Sequence, residues 1–151
     1  MEVNTKAYGK IDIDERQIIT FPSGIPGFES LKKFALLDAA QQPFYWLQSL
    51  DVQEIAFVMI SPLLFKPNYN VQLSEQELEE LNLSEFPNEE ALLFAIVTIP
   101  ENQAKMTANL QGPVIINKHT KTGRQFIHSD VQWKTKHYIL DELASVRNEA
   151  C

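Results

Sequence analysis

The histidines are the side chains of this sequence best suited to bind a metal ion or to transfer a proton, and there are three, His119, His128 and His137. His119 falls in a predicted turn and the other two are far apart, so the sequence has neither an HxH nor an HExxH motif. The only cysteine, Cys151, has no internal partner for a disulfide, and Ser23 lies outside any G-x-S-x-G motif. We therefore predict a protein that is not an enzyme and binds no metal or cofactor. A metal site assembled only in three dimensions is the alternative.

Apolar residues stand beside prolines in two segments that have the composition of loops, FPSGIPGFES and SPLLFKPNYN. Each of them, taken singly, can fold back and fill the end of a barrel. Together they are more apolar residues than are needed to fill the end of a barrel. Large exposed apolar patches mark surfaces for protein partners. The six residues are Ile25, Phe28, Leu63, Leu64, Phe65 and Tyr69. We predict that four of them contact a partner: Phe28, Leu64, Phe65 and Tyr69.

Charge is distributed unevenly along the chain, whose formal net charge is −7. Residues 67–104 include eight glutamates and no Lys or Arg, whereas residues 105–138 include six basic residues and one acid. An acidic surface repels the phosphates of nucleic acids and attracts basic partners. We predict that Glu75, Glu79 and Glu80 bind such a partner. The alternative is that they only solvate a helix.

The segment TANLQGPVIINKHTKTGRQ, residues 107–125, has the pattern of strands that enter and leave a tight bend. Asn109 is expected to bind backbone groups at that bend. The alternative is a hydrogen bond to a partner, so Asn109 is also a candidate partner-binding residue. We interpret Gln125 in the same way: it is expected to begin a strand, and a contact with a partner is the alternative. Gly123 is expected to form a bulge in the turn.

Most of the remaining chain reads as short strands, which are apolar at alternate positions or apolar throughout. The predicted strands cover residues 3–13 with a break at Gly9, 17–21, 33–37, 44–49, 55–60, 91–99, 106–110, 114–117 and 125–129. Many short strands separated by turn residues favour an all-β barrel or sandwich. The fold class that we predict is mainly β, a small antiparallel β-barrel-like domain with one or two short helices.

One helix is predicted over residues 75–81, because Ser74 followed three residues later by Glu77 forms a capping box. Residues 131–140 fit neither a helix nor a strand clearly. We expect a single domain over residues 1–140 and a C-terminal tail over 141–151, which is either a frayed helix or disordered.

A second function is compatible with the basic region. A β-barrel that binds nucleic acid would use the basic and aromatic residues Lys118, Lys121, Arg124, Trp133, Lys134 and Lys136. The overall acidity argues against this hypothesis. A small-molecule-binding barrel or a hydrolase is a more remote alternative.

The start of the chain lacks the basic region and apolar block of a signal peptide, and no apolar run reaches the ~20 residues of a membrane span. We therefore expect a cytoplasmic protein without membrane association, and a monomer when it is free of partners.

Four segments in this order resemble the FliW family of flagellar assembly factors: FPSGIPGFES, FYWLQSL, FVMISPLLFKPNY and TANLQGPVIIN with the following GRQ. The resemblance extends from the first strand to about Tyr138. It implies a β-rich, barrel-like domain without catalytic activity and with two protein partners.

The first implied partner is flagellin, held in the cytoplasm before secretion. The second is CsrA, an RNA-binding translational repressor of flagellin mRNA. In this family, FliW free of flagellin binds CsrA and lifts repression, and accumulating flagellin captures FliW and restores it. The resemblance implies no catalytic or ligand residues, and it leaves open whether the two partners share a surface.

Overall fold

Seven strands close into a barrel in the structure of this chain, a computed structural model that describes the backbone of residues 1–150 and the side chains of residues 1–147. In spatial order they are β3 (Ile18–Thr20), β4 (Lys33–Asp38), β5 (Tyr45–Ser49), β6 (Ala56–Ile60), β7 (Ala91–Thr98), β9 (Val114–Asn117) and β10 (Thr122–Gln125). All neighbours are antiparallel except β10 and β3, which close the barrel through a parallel pair. The mainly β, barrel-like prediction is confirmed, with this one parallel exception.

Four short strands lie outside the barrel. β1 (Glu2–Thr5) and β2 (Gly9–Asp12) form a separate hairpin. β8 (Thr107–Ala108) pairs with the end of β7, and β11 (His137–Tyr138) pairs with β8. The predicted break is therefore the hairpin turn at residues 6–8, and Gly9, the first residue of β2, leaves this turn with a φ of +67°.

The barrel wall is covered on both of its faces. Tyr45 and Leu47 face the interior, where they pack with Phe34, Met59 and Phe94. On the other face of β5, Trp46 packs under the β1–β2 hairpin.

Gln48 shares that outer face and ties the hairpin to the wall. Its Oε1 accepts a hydrogen bond from the Lys6 backbone N–H at 2.8 Å, and its Nε2 donates to the Gln53 carbonyl at 2.9 Å. Both faces of the FYWLQS segment are therefore core, because a second layer covers the outer one.

The predicted helix is present as α1 (Glu75–Glu80). The Ser74 hydroxyl accepts from the Glu77 N–H at 3.1 Å, and the Glu77 carboxylate accepts from the Ser74 N–H at 2.9 Å, which completes the capping box. Leu78 and Leu81 pack into a cluster of apolar side chains outside the barrel, which we name the outer cluster. The Asn117 side chain donates to the Leu81 carbonyl at 2.8 Å and fixes the end of the helix to the β9–β10 turn.

The C-terminal part of the chain forms a second helix, α2 (Ile139–Ala150), which begins two residues before the predicted start of the tail. Ile139 is buried and Leu143 packs against the outer cluster, while Glu142 pairs with Lys66 at 2.7 Å. Of the two alternatives for the tail, the structure therefore has the helix and not the disordered segment. Cys151 lies outside the described residues.

Gly123 does not form a bulge. It pairs in regular register with Ile116 inside β10, and the turn before it places Lys121 at a φ of +57°. A Cβ at Gly123 would lie 2.7 Å from the ring of Phe21, so glycine is required by packing and not by the turn. The prediction of a strand at 125–129 is wrong except at its first residue, because the strand here, β10, begins at Thr122 and ends at Gln125.

No helix in the described part of the chain is long and apolar enough to cross a membrane.

Candidate functional site

The six apolar loop residues do not form one surface. Ile25, Phe65 and Tyr69 are buried. Phe28 is half-buried, with its ring 5.4 Å from that of Phe57 in an edge-to-face contact. Only Leu63 and Leu64 are widely exposed, at 47% and 48%.

The prediction that Phe65 and Tyr69 contact a partner is wrong. Phe65 has no exposed surface and belongs to the outer cluster. The Tyr69 hydroxyl donates to the Leu110 carbonyl at 2.6 Å, and its ring meets the ring of Trp133 edge to face at 4.9 Å. Burial raises the pKa of this hydroxyl. Both aromatic side chains anchor the loop to the barrel and leave Leu63 and Leu64 outside.

An apolar groove of about 510 Å³ opens beside Leu63. It lies between the 61–71 loop and the first residues of β7. Phe86, Leu92 and Leu93 line it and are half-buried. We name this feature the leucine groove. No pattern in the sequence predicts that Phe86, Leu92 and Leu93 line a groove, because only the fold brings them beside the loop.

The acidic residues lie on the outer side of α1. Glu75 and Glu79 are exposed, and no described side chain pairs with either of them. Glu80 pairs with Arg124 on β10, so its charge is compensated within the molecule. We name the surface formed by Glu75 and Glu79 the acidic face; Glu80 contributes less to it than the sequence predicts.

Asn109 binds the backbone of the bend, as the sequence predicts. Its side-chain oxygen accepts hydrogen bonds from the N–H groups of Gln111 at 3.0 Å and Gly112 at 2.8 Å. The Gln125 amide donates to the Gly112 carbonyl at 2.9 Å from the other side. A Cβ at Gly112 would lie 2.6 Å from that amide nitrogen, so a larger residue there would displace the Gln125 side chain from this hydrogen bond. The geometry gives Asn109 a structural role.

This role has a measurable consequence. Asn109→Ala leaves the Gly112 N–H without its acceptor and removes one of the two acceptors of the Gln111 N–H, which keeps the Lys134 carbonyl at 3.1 Å. It is expected to lower the free energy of unfolding by about 1–3 kcal/mol. Asn109→Asp retains an acceptor oxygen and is expected to cost less. Urea denaturation followed by tryptophan fluorescence measures both variants. If both unfold like the parent chain while binding to a partner is lost, Asn109 is a contact residue instead.

The basic region does not offer a uniform surface. Trp133 is buried, so its ring presents no face for stacking against a base. Arg124 pairs with Glu80 and stacks over Phe126, 4.9 Å from the ring centroid. Lys118, Lys134 and Lys136 remain exposed, and Lys121 is half-buried.

The histidines are dispersed as well. Within the residues that the structure describes, no three His, Cys, Asp or Glu side chains form a group that could hold a metal ion. His119 pairs with Glu90, and His128 contacts the Asn70 carbonyl. Nε2 of His137 accepts from the Lys134 N–H at 2.8 Å, and burial lowers the pKa of its imidazole.

Known proteins resemble this chain over nearly its whole length. The family model for "FliW protein" matches residues 2–139. The "Flagellar assembly factor FliW" of Treponema denticola is 47% identical, over 98% of this chain and 100% of the relative. The protein of that name from Treponema pallidum is 42% identical, over 100% of both chains. Among solved structures, the "Crystal structure of the flagellar assembly factor FliW" matches with a TM-score of 0.85 and 37% identity, over 92% of this chain and 96% of that one. The barrel, the matched family model and the full-length relatives together show that this chain belongs to the FliW family.

Proposed function

We propose that this chain is a non-enzymatic flagellar assembly and regulatory factor that works as a partner switch in the cytoplasm. Free of flagellin, it binds the repressor CsrA and releases flagellin mRNA for translation. When flagellin accumulates, it binds flagellin instead, in the manner of a chaperone, and CsrA represses again. Membership of the FliW family is the observation that supports this proposal most strongly.

The leucine groove is the surface that we assign to flagellin. On this assignment, flagellin presents a helix with an apolar face before export, and such helices are bound by grooves that accept side chains spaced three and four residues apart. The groove is apolar along Phe86, Leu92 and Leu93, and Leu63 lines it. The next residue in the chain, Leu64, is exposed. Phe28 lies on another loop and is a secondary candidate contact.

The acidic face is the surface that we assign to CsrA. A protein that binds RNA carries basic residues, because it must neutralise phosphates. Glu75 and Glu79 are exposed and unpaired among the described side chains, and they belong to a stretch without Lys or Arg. Charges at the rim of an interface mainly accelerate association and make it depend on salt.

Reversing the acidic face is expected to slow the binding of CsrA. Glu75→Lys with Glu79→Lys should lower the association rate constant about tenfold at low ionic strength, with little change in dissociation. The difference should shrink near 0.5 M salt, because the Debye length falls to roughly 4–5 Å. Glu80→Lys is left out because it would place a cation beside Arg124. Stopped-flow mixing at two ionic strengths measures both rate constants.

A matched control separates the position of these charges from the net charge. Asp51→Lys with Glu54→Lys changes the charge equally in the β5–β6 turn, where both residues are exposed. We expect the control to bind CsrA at nearly the parent rate. Equal slowing by both double variants would show that only net charge matters, and the acidic face would then have no specific role in CsrA binding.

A further inference from the structure

A second depression adjoins the leucine groove, with which it shares Asn70 and Val71, but neither Leu63 nor Leu64 lines it. It has a volume of about 550 Å³ and runs between the chain segments 70–73 and 126–133. Three buried residues, Val71, Phe126 and Trp133, form its base. We name it the edge trough, because both of its sides are made of backbone that is not part of a sheet.

One side of the trough continues strand β10. The Phe126 N–H donates to the Pro113 carbonyl at 2.8 Å and the His128 N–H donates to the Gln111 carbonyl at 2.7 Å. Successive backbone groups of an extended chain point in opposite directions. The N–H and C=O of Ile127 therefore point away from residues 111–113 and toward the trough.

These backbone groups lack partners. Within the described part of the chain, the N–H of Ile127 and those of residues 70–73 donate to no protein acceptor. The two segments do not pair with each other directly, because the side chain of His128 spans the gap and reaches the Asn70 carbonyl at 2.5 Å. A row of unpaired N–H and C=O groups is a template for an additional strand.

The side chains around the trough indicate what that strand carries. Its charged lining residues are two acids, Glu77 and Asp130, with no Lys or Arg. Hydrogen bonds from the Gln132 side chain at 2.7 Å and its backbone at 3.1 Å lower the pKa of Asp130 and keep it anionic. On the same segment, Ile127 is 73% exposed and Val131 is 81% exposed, more than any other large apolar side chain described.

We propose that the edge trough binds an extended segment of a partner protein by β-strand addition. The segment pairs its backbone with Ile127 and with residues 70–73. It carries Lys or Arg on the side that faces Glu77 and Asp130, and apolar residues on the side that packs on Ile127 and Val131. The trough borders the leucine groove, with which it shares Asn70 and Val71, and its Glu77 lies on α1 between the two residues of the acidic face. The proposal rests on the unpaired backbone of Ile127 and of residues 70–73, and does not depend on the binding of flagellin or CsrA.

The probe for this site is a library of acetylated and amidated heptapeptides with Lys at the centre and Val, Ile, Thr or Lys elsewhere. Each pool is titrated into the ¹⁵N-labelled chain of 151 residues, and amide hydrogen exchange is followed by NMR. For the pools that bind, we expect exchange at Ile127 and at residues 70–73 to slow at least tenfold. N-methylation of alternate backbone amides in the best peptide should abolish the protection, because it removes the donors of a strand.

Two variants test the side-chain chemistry. Glu77→Gln with Asp130→Asn is expected to weaken the best peptide at least tenfold, whereas Asp51→Asn with Glu54→Gln should leave it unchanged. Ile127→Asp should also weaken it without unfolding the chain, because the Ile127 side chain is exposed. Three results would each overturn the proposal: no pool binds up to millimolar concentration, the N-methylated peptide binds equally well, or the protected amides lie elsewhere.

Discussion

Replacement of Phe65 by Ala is expected to lower the free energy of unfolding by about 3–5 kcal/mol, the range observed for large-to-small substitutions of buried aromatic residues. Phe65 has no exposed surface and packs in the outer cluster with Tyr69 and Val71. The loss combines the transfer of the ring with the cavity left between the 61–71 loop and the barrel wall. Urea denaturation with the midpoint and slope fitted separately measures the change.

The neighbouring residue provides the control. Leu64→Ala removes an exposed side chain and is expected to change the free energy of unfolding by no more than about 0.5 kcal/mol. If Phe65→Ala is as stable as Leu64→Ala, then Phe65 is not a core residue, and the loop does not position Leu63 and Leu64 as described.

The second large effect concerns binding. Leu63→Asp with Leu64→Asp is expected to weaken flagellin binding at least a hundredfold, or about 2.7 kcal/mol, because it places two carboxylates where apolar contacts would form. The fold should be unaffected, since both side chains are about half exposed. Isothermal titration of the variant and the parent chain with purified flagellin measures the difference.

The charge control for this variant is Val52→Asp with Ile99→Asp, which also adds two carboxylates at exposed apolar positions, outside the leucine groove. It should bind flagellin like the parent chain. Equal affinity of the leucine double variant and the parent chain would place the flagellin contact outside the leucine groove, and Phe28 would then be the next position to test.

The sequence predicts most accurately the features that depend on interactions between residues close together in the chain. The capping box of Ser74 and Glu77 is a contact within one helical turn, and Asn109 binds backbone groups two and three residues away. The strands β5 and β6 follow from residues of high β propensity within a few positions. Each of these interactions is encoded by neighbours in the chain, so one sequence is sufficient to detect it.

The predictions failed where exposure depends on distant packing. Leu64 and Phe65 are adjacent and both apolar, yet one is half exposed and the other is buried. A short 3-10 turn, Pro62–Leu64, precedes Phe65, and neither the period of a helix nor that of a strand applies there. Gly123 resembled a turn residue, but its small size is required by Phe21, about a hundred positions earlier. The edge trough was missed because it joins segments that are more than fifty positions apart.

The exchange of partners is measured by the release of RNA from CsrA. A labelled leader RNA of flagellin mRNA is bound to CsrA, and its fluorescence anisotropy is followed while this chain and then flagellin are added. We expect the chain to lower the anisotropy by releasing RNA from CsrA, and flagellin to restore it. A mixture without CsrA should show no change when the chain is added. If the chain itself raises the anisotropy of free RNA, or leaves the RNA on CsrA, the partner switch is contradicted, and direct binding of RNA to the chain would favour the nucleic-acid hypothesis instead.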